Sequence, residues 1–396
     1  MRKEESVAIL DIRSGEISFL LGSEGINGTF VLHGNHSERY EGFSVEKGFF
    51  DEDSFRRAVS VCITSVRQNY QGTIKEIFVG VPAGAITVQT KGHTNSYNRK
   101  RKISAQDVDA LYESGLNELL AKGHFIRRSN MYLTLGDNRK YFSANDLYGV
   151  PTTMLKGALC YYFVTDSFYQ SVSSVLQELG FEDIHFIPST LAQATYLFSQ
   201  KKREGYAFLL DVGFLTSSIS VIYGNGIVHE EAFDCGTAQI LACLMAKFKV
   251  EYAVAEDMLK EANISGGSVP YGVYWTSDVG DAYSVQEINE CIKWGLDVLC
   301  EQVETFFSKY YREKTTTGLT VNPIGLTGEG INEIKGATEH ISKRLNRLTE
   351  VIYPDLPYYD KPMYASRISL LDMALSDRTK RSPFYKIFNH HGGNRI

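Results

Sequence analysis

The chain has 396 residues, 43% apolar and 22% charged, an ordinary globular composition with length for two domains and a large core. Its formal charge of −6 argues against a nucleic-acid partner. Cys62, Cys160, Cys235, Cys243, Cys291 and Cys300 are scattered through apolar patterns with no C-x-x-C pair, which indicates neither a zinc site nor a disulfide framework and fits a reducing compartment. The start MRKEESVAILD lacks a signal-peptide core, and no run approaches the roughly 18–20 apolar residues of a membrane span. The expectation is a cytoplasmic protein.

In chain order, 7-VAILDIRSGEISFLLG-22 reads as an apolar strand ending at Asp11, a small-residue turn at Ser14 and Gly15, and an alternating strand. A third strand covers 29–33, and 42–50 is a loop. Asp51 and Asp53 cap a helix in which Phe55, Ala58, Val59, Cys62, Ile63 and Val66 recur at helical spacing. A strand over 76–81 stops at Pro82. Residues 84–167 read as an insert: a strand over 86–91, a basic run from Arg99 to Lys102 taken as a solvated loop, a helix over 105–123, strands at 132–135 and 140–143, and an alternating strand after Pro151. A helix over 167–183, a strand over 184–187 and a helix opened by Pro188 and Ser189 follow.

The stretch 205-GYAFLLDVGFLTSSISVIYGNGIVHEEAFDCGT-237 repeats the first pattern. A strand ends at Asp211 and Gly213, a second strand spans 217–223, and a third follows a Gly-Asn-Gly turn. An acidic residue at such a strand end can hold a hydrated Mg2+, while the N–H groups of the loop 213–218 and the Thr216 hydroxyl can reach phosphate oxygens. Helices are expected over 234–248, over 251–262 with Glu256, Asp257 and Lys260 on it, and over 285–310 behind a Ser284/Glu287 capping box. Residues 263–283 are loop-like. In 324-IGLTGEGINEIKG-336 a short strand runs into a loop whose Gly328 and Gly330 can lie against a base or ribose. A helix over 332–345, a strand over 348–353 and a helix over 364–377 complete the core. The tail from 378 to 396 mixes basic residues with Phe384, Tyr385, Lys386, Ile387 and Phe388, a combination that suits an anionic membrane surface.

Two Asp-headed hairpins and a Thr-Gly-x-Gly loop, in this order, resemble the actin-like ATPase superfamily, which includes actin, sugar kinases, DnaK-type chaperones and bacterial FtsA. The helix followed by V-G-V-P and then an insert looks like FtsA. The resemblance implies an α/β chain with a duplicated actin-like (ribonuclease H-like) fold and two domains around a nucleotide cleft. The first domain would comprise 1–83 and 168–200, split by an FtsA/PilM-type (SHS2) interaction subdomain at 84–167. The second would span 201–376, with a tail at 377–396. The helices at 188–199 and 234–248 would connect the two halves. Asp11 and Asp211 would orient Mg2+ and the attacking water. Ser14, Gly15, Gly213 and Thr216 would hold the phosphates of ATP, and Asp257, Lys260, Gly328 and Gly330 the nucleoside. Implied partners are an FtsZ-like filament, further copies of the chain in protofilaments, and the inner face of the membrane through Phe384–Phe388. A pseudo-ATPase scaffold resembling PilM is the alternative. A sugar-kinase reading is opposed by the place of the insert.

The sequence departs from the family at the glycines. Arg13 replaces the glycine of the first hairpin, Phe214 and Leu215 two glycines of the second, and Glu329 one of the third loop. A side chain forced to positive φ costs roughly 1–2 kcal/mol. Phe214 and Leu215 add bulk where a γ-phosphate would lie, Glu329 adds negative charge, and Arg13 offers a compensating positive one. The expectation is weak or absent hydrolysis, with nucleotide binding left open.

Overall fold

The computed structural model describes residues 6–25, 29–72, 74, 76–119, 123–137, 139–265, 272–311, 322–331 and 334–381. The expected tail contacts of Phe384, Tyr385, Lys386, Ile387 and Phe388 lie outside them. The first half holds β1 (Val7–Ile12), β2 (Glu16–Glu24), β3 (Phe30–Arg39), a small ribbon of β4 (Phe43–Ser44) and β5 (Gly48–Phe49), α1 (Glu52–Asn69) and β6 (Glu76–Val81). Next come β7 (Ile86–Lys102), α2 (Ala105–Asn117), β8 (His124–Thr134) and β9 (Pro151–Val164), and then α3 (Asp166–Glu178), β10 (Asp183–Pro188), α4 (Ser189–Leu197) and α5 (Gln200–Arg203). The second half holds β11 (Ala207–Val212), β12 (Ser217–Tyr223), β13 (Gly226–Phe233), α6 (Thr237–Phe248), α7 (Tyr252–Glu261) and a hairpin of β14 (Tyr274–Thr276) and β15 (Ala282–Ser284). It ends with α8 (Val285–Tyr310), β16 (Ile324–Thr327), α9 (Ala337–Arg344), β17 (Thr349–Val351) and α10 (Ala365–Arg381).

The two halves repeat one sheet. The strand orders are β10-β6-β1-β2-β3 and β13-β12-β11-β16-β17. In each, three antiparallel strands are extended by two parallel ones. The register matches as well. Asp11 faces Ser18 across its hairpin and Gly80 on the parallel side, and Asp211 faces Ser218 and Thr327. The first strands of both hairpins are buried along their whole length, which explains their continuous apolar runs.

Three cores hold the halves. α1 and α3 cover the first sheet through Phe55, Val59, Ile63, Phe168 and Val172. α6 and α8 cover the second through Ile240, Leu244, Ile292 and Leu296. Between the sheets, Ile9, Leu20, Leu209 and Ile222 pack with Leu191 of α4 and with Ile368 and Leu371 of α10. The connecting role expected for the helix at 234–248 therefore falls differently: α6 belongs to an outer core, and α10 shares the inter-sheet core with α4.

The insert is an antiparallel sheet, β7-β9-β8, with α2 packed on it through Val108, Leu111, Leu155, Leu159 and Tyr161. Ser104 and Asp107 form the capping box of α2. The basic run Arg99–Lys102 is the exposed end of β7 rather than a loop. Its residues continue the edge strand past an irregularity between Ser96 and Arg101, and Arg101 pairs with Asp107 at 2.7 Å. The insert also reaches the second half. Asn225, in the turn between β12 and β13, donates to the carbonyls of Asn130 (3.1 Å) and Phe142 (2.6 Å), and Arg127 grips Asp377 of α10 with two bonds of 2.6 and 2.9 Å. Among the described residues no helix is long and apolar enough to cross a membrane.

Candidate functional site

The two hairpin turns meet at the floor of the cleft between the sheets, and they are tied to each other. Arg13 extends from the first turn and donates both terminal N–H groups to Asp211, at 2.7 and 2.6 Å. Gln193 of α4 adds a third bond to the same carboxylate at 2.9 Å. Burial works to raise the Asp211 pKa, but the Arg13 charge and these hydrogen bonds together outweigh it and hold the carboxyl below its ordinary value. Asp11 has a different setting. It is 1% exposed, Ser366 of α10 donates to its Oδ1 at 2.7 Å, and its Oδ2 has no partner among the described residues. Burial raises its pKa against the pull of Arg13, Arg367 and Ser366.

The loop after Asp211 presents three consecutive N–H groups to the cleft, an arrangement that suits an anion. The protein's own side chains take all three. Phe214 N–H donates to Glu329 Oε1 at 3.0 Å, and Leu215 and Thr216 N–H donate to Ser14 Oγ at 3.0 and 3.1 Å. Their side chains also cross the cleft. A β-carbon added to Gly15 would stand 2.5 Å from Phe214 Cδ1, and one added to Gly42 would collide with Leu215 Cδ1. Farther out, Asp234 accepts from the N–H groups of Val45 (2.7 Å) and Glu46 (3.3 Å), and Arg39 pairs with Glu256 at 2.7 Å.

What space remains is divided in two. A cavity of about 30 Å³ lies beside Arg13, Ser14, Ser189, Asp211 and Thr216, room for a water molecule or two. Asp11 is not among its lining residues. A larger cavity, about 510 Å³, opens beyond Phe214 and Glu329 and is lined also by Glu16, Arg39, Tyr40, Glu41, Tyr252, Glu256 and Gly330. Of its charged lining residues Glu16, Glu41, Glu256 and Glu329 are acidic and Arg39 is basic, a balance that opposes an anionic ligand.

The structure thus places Ser14, Gly15, Asp211, Gly213 and Thr216 around one junction, with Gly328 and Gly330 on the next loop. Gly328 has φ +110°, and a β-carbon there would strike the Val212 carbonyl; only glycine lets this loop lie against Asp211. On α7, Glu256 lines the larger cavity, whereas Asp257 faces outward and Lys260 pairs with Glu256 at 3.0 Å. Sequence reasoning missed Gln193 and Ser366, the partners of the two aspartates, and Arg367, which is 4% exposed and bonds Glu16 at 2.8 Å. The signal available was a polar residue at a helix position where the apolar spacing calls for a buried one. Glu230 of β13 was missed too. Burial pushes its carboxyl up to about 7, with Thr190 hydrogen bonding to it and Asp211 nearby.

No protein-family model and no curated protein matches the chain. Solved structures do. It is similar to a structure of the PilM-PilN type IV pilus biogenesis complex at TM-score 0.62 and 11% identity, covering 94% of this chain and 99% of that one. It is similar to MreB5 of Spiroplasma citri bound to ADP at TM-score 0.53 and 10% identity, covering 95% and 98%. The ethanolamine utilization protein EutJ from Carboxydothermus hydrogenoformans gives 0.52 and 11%, covering 93% and 90%. The chain has the actin-like ATPase fold.

In a nucleotide-binding member of that fold this cleft would hold ATP–Mg2+. The residues present here do not fit that group. Mg2+ keeps several waters and needs free carboxylate oxygens; both oxygens of Asp211 are engaged by Arg13 and Gln193, and the free Oδ2 of Asp11 does not line the cavity beside them. The loop N–H groups are taken by Glu329 and Ser14. The cavity beside Asp211 has room for a water molecule or two. Among the described residues no cluster of three or more His, Cys, Asp or Glu could hold a metal ion.

Proposed function

We propose that this protein is a pseudo-ATPase scaffold of the actin-like fold, which docks partner proteins and keeps its cleft shut with its own side chains. The observation that carries this reading is the internal replacement of the ligand. The Arg13 guanidinium stands at Asp211 where a cation would, and the Glu329 carboxylate and Ser14 hydroxyl accept from the loop N–H groups where phosphate oxygens would. The halves then need no ligand to stay together. The insert supplies the docking region: its sheet ends in β7, an edge strand that can accept a further strand, whereas the edge of β8 is already engaged at Asn130 and Leu133 by Asn225 and Tyr141. PilM, which has the same fold, is known here in complex with PilN, and that use of the fold supports a partner-binding role.

The rival reading is an FtsA-like adaptor that binds ATP–Mg2+, forms protofilaments and ties an FtsZ-like filament to the membrane through residues 384–388. It requires the Arg13–Asp211 pair to part. A thermal-shift titration with ATP–Mg2+ separates the two. The scaffold predicts no change in Tm at millimolar nucleotide. A concentration-dependent rise, which binding to the folded state alone would cause, would replace the scaffold by the adaptor.

A further inference from the structure

Of the six cysteines, Cys243 is half-buried and the other five are buried. Cys243 lies on α6 and Cys291 on α8, and these helices share one core with contacts that run in opposite chain directions. Contacts on either side bracket the two thiols. One turn before Cys243, Ile240 packs onto the bare backbone of Gly295, where a β-carbon would collide with it. One turn after Cys243, Lys247 pairs with Glu290 at 3.5 Å and Glu287 at 3.7 Å. Cys291 stands one turn from Gly295 and one turn from Glu287. Stepping along both helices together therefore sets Cys243 opposite Cys291, and Gly295 brings the helices close enough for side chains this short to meet. The thiol of Cys291 interacts with that of Cys243, and burial pushes it up to about 12.

We propose that Cys243 and Cys291 form a reversible intramolecular disulfide when the folded protein meets hydrogen peroxide, a modification site that locks α6 to α8. Cys243 reacts first because oxidant reaches it from solvent. Its thiolate sulfur attacks peroxide, an S–O bond forms as the O–O bond breaks, and the departing hydroxide leaves as water after taking a proton. The sulfur of Cys291 then attacks the Cys243 sulfenic acid, an S–S bond forms as the S–O bond breaks, and the Cys291 proton leaves with the oxygen as a second water. Two thiols and one peroxide become one disulfide and two waters. The consequence reaches the cleft. At the N-terminus of α6, Thr237 and Ala238 N–H donate to the carbonyls of Gly213 and Phe214 at 3.2 and 2.9 Å, so the locked helix carries the loop that faces Ser14 and Glu329.

The test is peroxide treatment of the full chain, acid quenching, thiol blocking under denaturing conditions and intact mass with peptide mapping. The expected result is loss of about 2 Da and of two blockable thiols, a linked peptide containing Cys243 and Cys291, recovery with dithiothreitol, and a higher Tm for the oxidised protein. In Cys291→Ser, Cys243 has no resolving partner and gains about 32 Da as sulfinic acid or links two chains; Cys243→Ser keeps Cys291 reduced. Circular dichroism melts confirm that both variants fold. The proposal is overturned if the wild type retains both thiols, if Cys243 becomes sulfinic while Cys291 stays reduced, or if Cys243→Ser leaves Cys291 equally reactive.

Discussion

The two aspartate hairpins share topology and register, yet their carboxylates live in opposite electrostatic settings. Asp211 is held ionised by two guanidinium bonds from the other half of the molecule. Asp11 is turned toward Ser366 with one oxygen unpaired, and burial favours its neutral form. The hairpin scaffolds are alike because backbone pairing and buried apolar faces define them. The difference comes from one turn residue, Arg13, which serves not its own hairpin's aspartate but the opposite one. A duplicated fold can thus keep its geometry while its cleft changes from a ligand site to an internal ion pair.

The largest test of this contrast is Arg13→Ala. It leaves Asp211 buried without its cation, and chemical denaturation should show a loss of about 3–5 kcal/mol. Adding Asp211→Asn should recover much of that, since the uncompensated charge is then gone. A loss under 1 kcal/mol in the single variant would mean that the pair does not hold the halves. The sign with pH follows from the lowered Asp211 pKa. The pair's stabilisation is present above the unfolded value near 3.8 and is lost as pH falls through the lower folded value.

Glu230 supplies a contrast of opposite sign. Its folded pKa of about 7 lies above the ordinary 4.5. Stability from this group is therefore complete below pH 4.5 and disappears as pH rises through about 7. Glu230→Gln should stabilise the protein by about 3 kcal/mol at pH 8 and do little at pH 4.5; an equal effect at both would show that the carboxyl is not perturbed. Phe214→Ala, which empties the contact on Gly15, should cost about 2 kcal/mol because the ring is only partly buried, measured by urea unfolding. The smallest effect is expected at the mouth of the cleft. The Arg39 side chain is 68% exposed in its pair with Glu256, so Arg39→Ala should change stability by at most about 1 kcal/mol, falling with added salt.

Local pattern specified much of this protein. The apolar strands ending at Asp11 and Asp211, the helix of 18 residues after Asp51, and the 26-residue helix behind Ser284 were readable because burial period and capping are properties of neighbouring residues. The duplicated hairpins placed the cleft. The hairpin at Tyr274–Ser284 escaped notice because its strands are three residues each and carry little alternation. The departures at Arg13, Phe214, Leu215 and Glu329 were equally visible as residue types at odd positions. Where they point was not. That Arg13 meets Asp211 rather than Asp11, that Glu329 accepts from Phe214, and that Ser366 reaches Asp11 across most of the chain's length are contacts between distant segments. They are decided by how two sheets and α10 pack, since a side chain's partner depends on which charges and hydrogen-bonding groups the fold brings within about 3 Å, and sequence spacing carries no record of that distance.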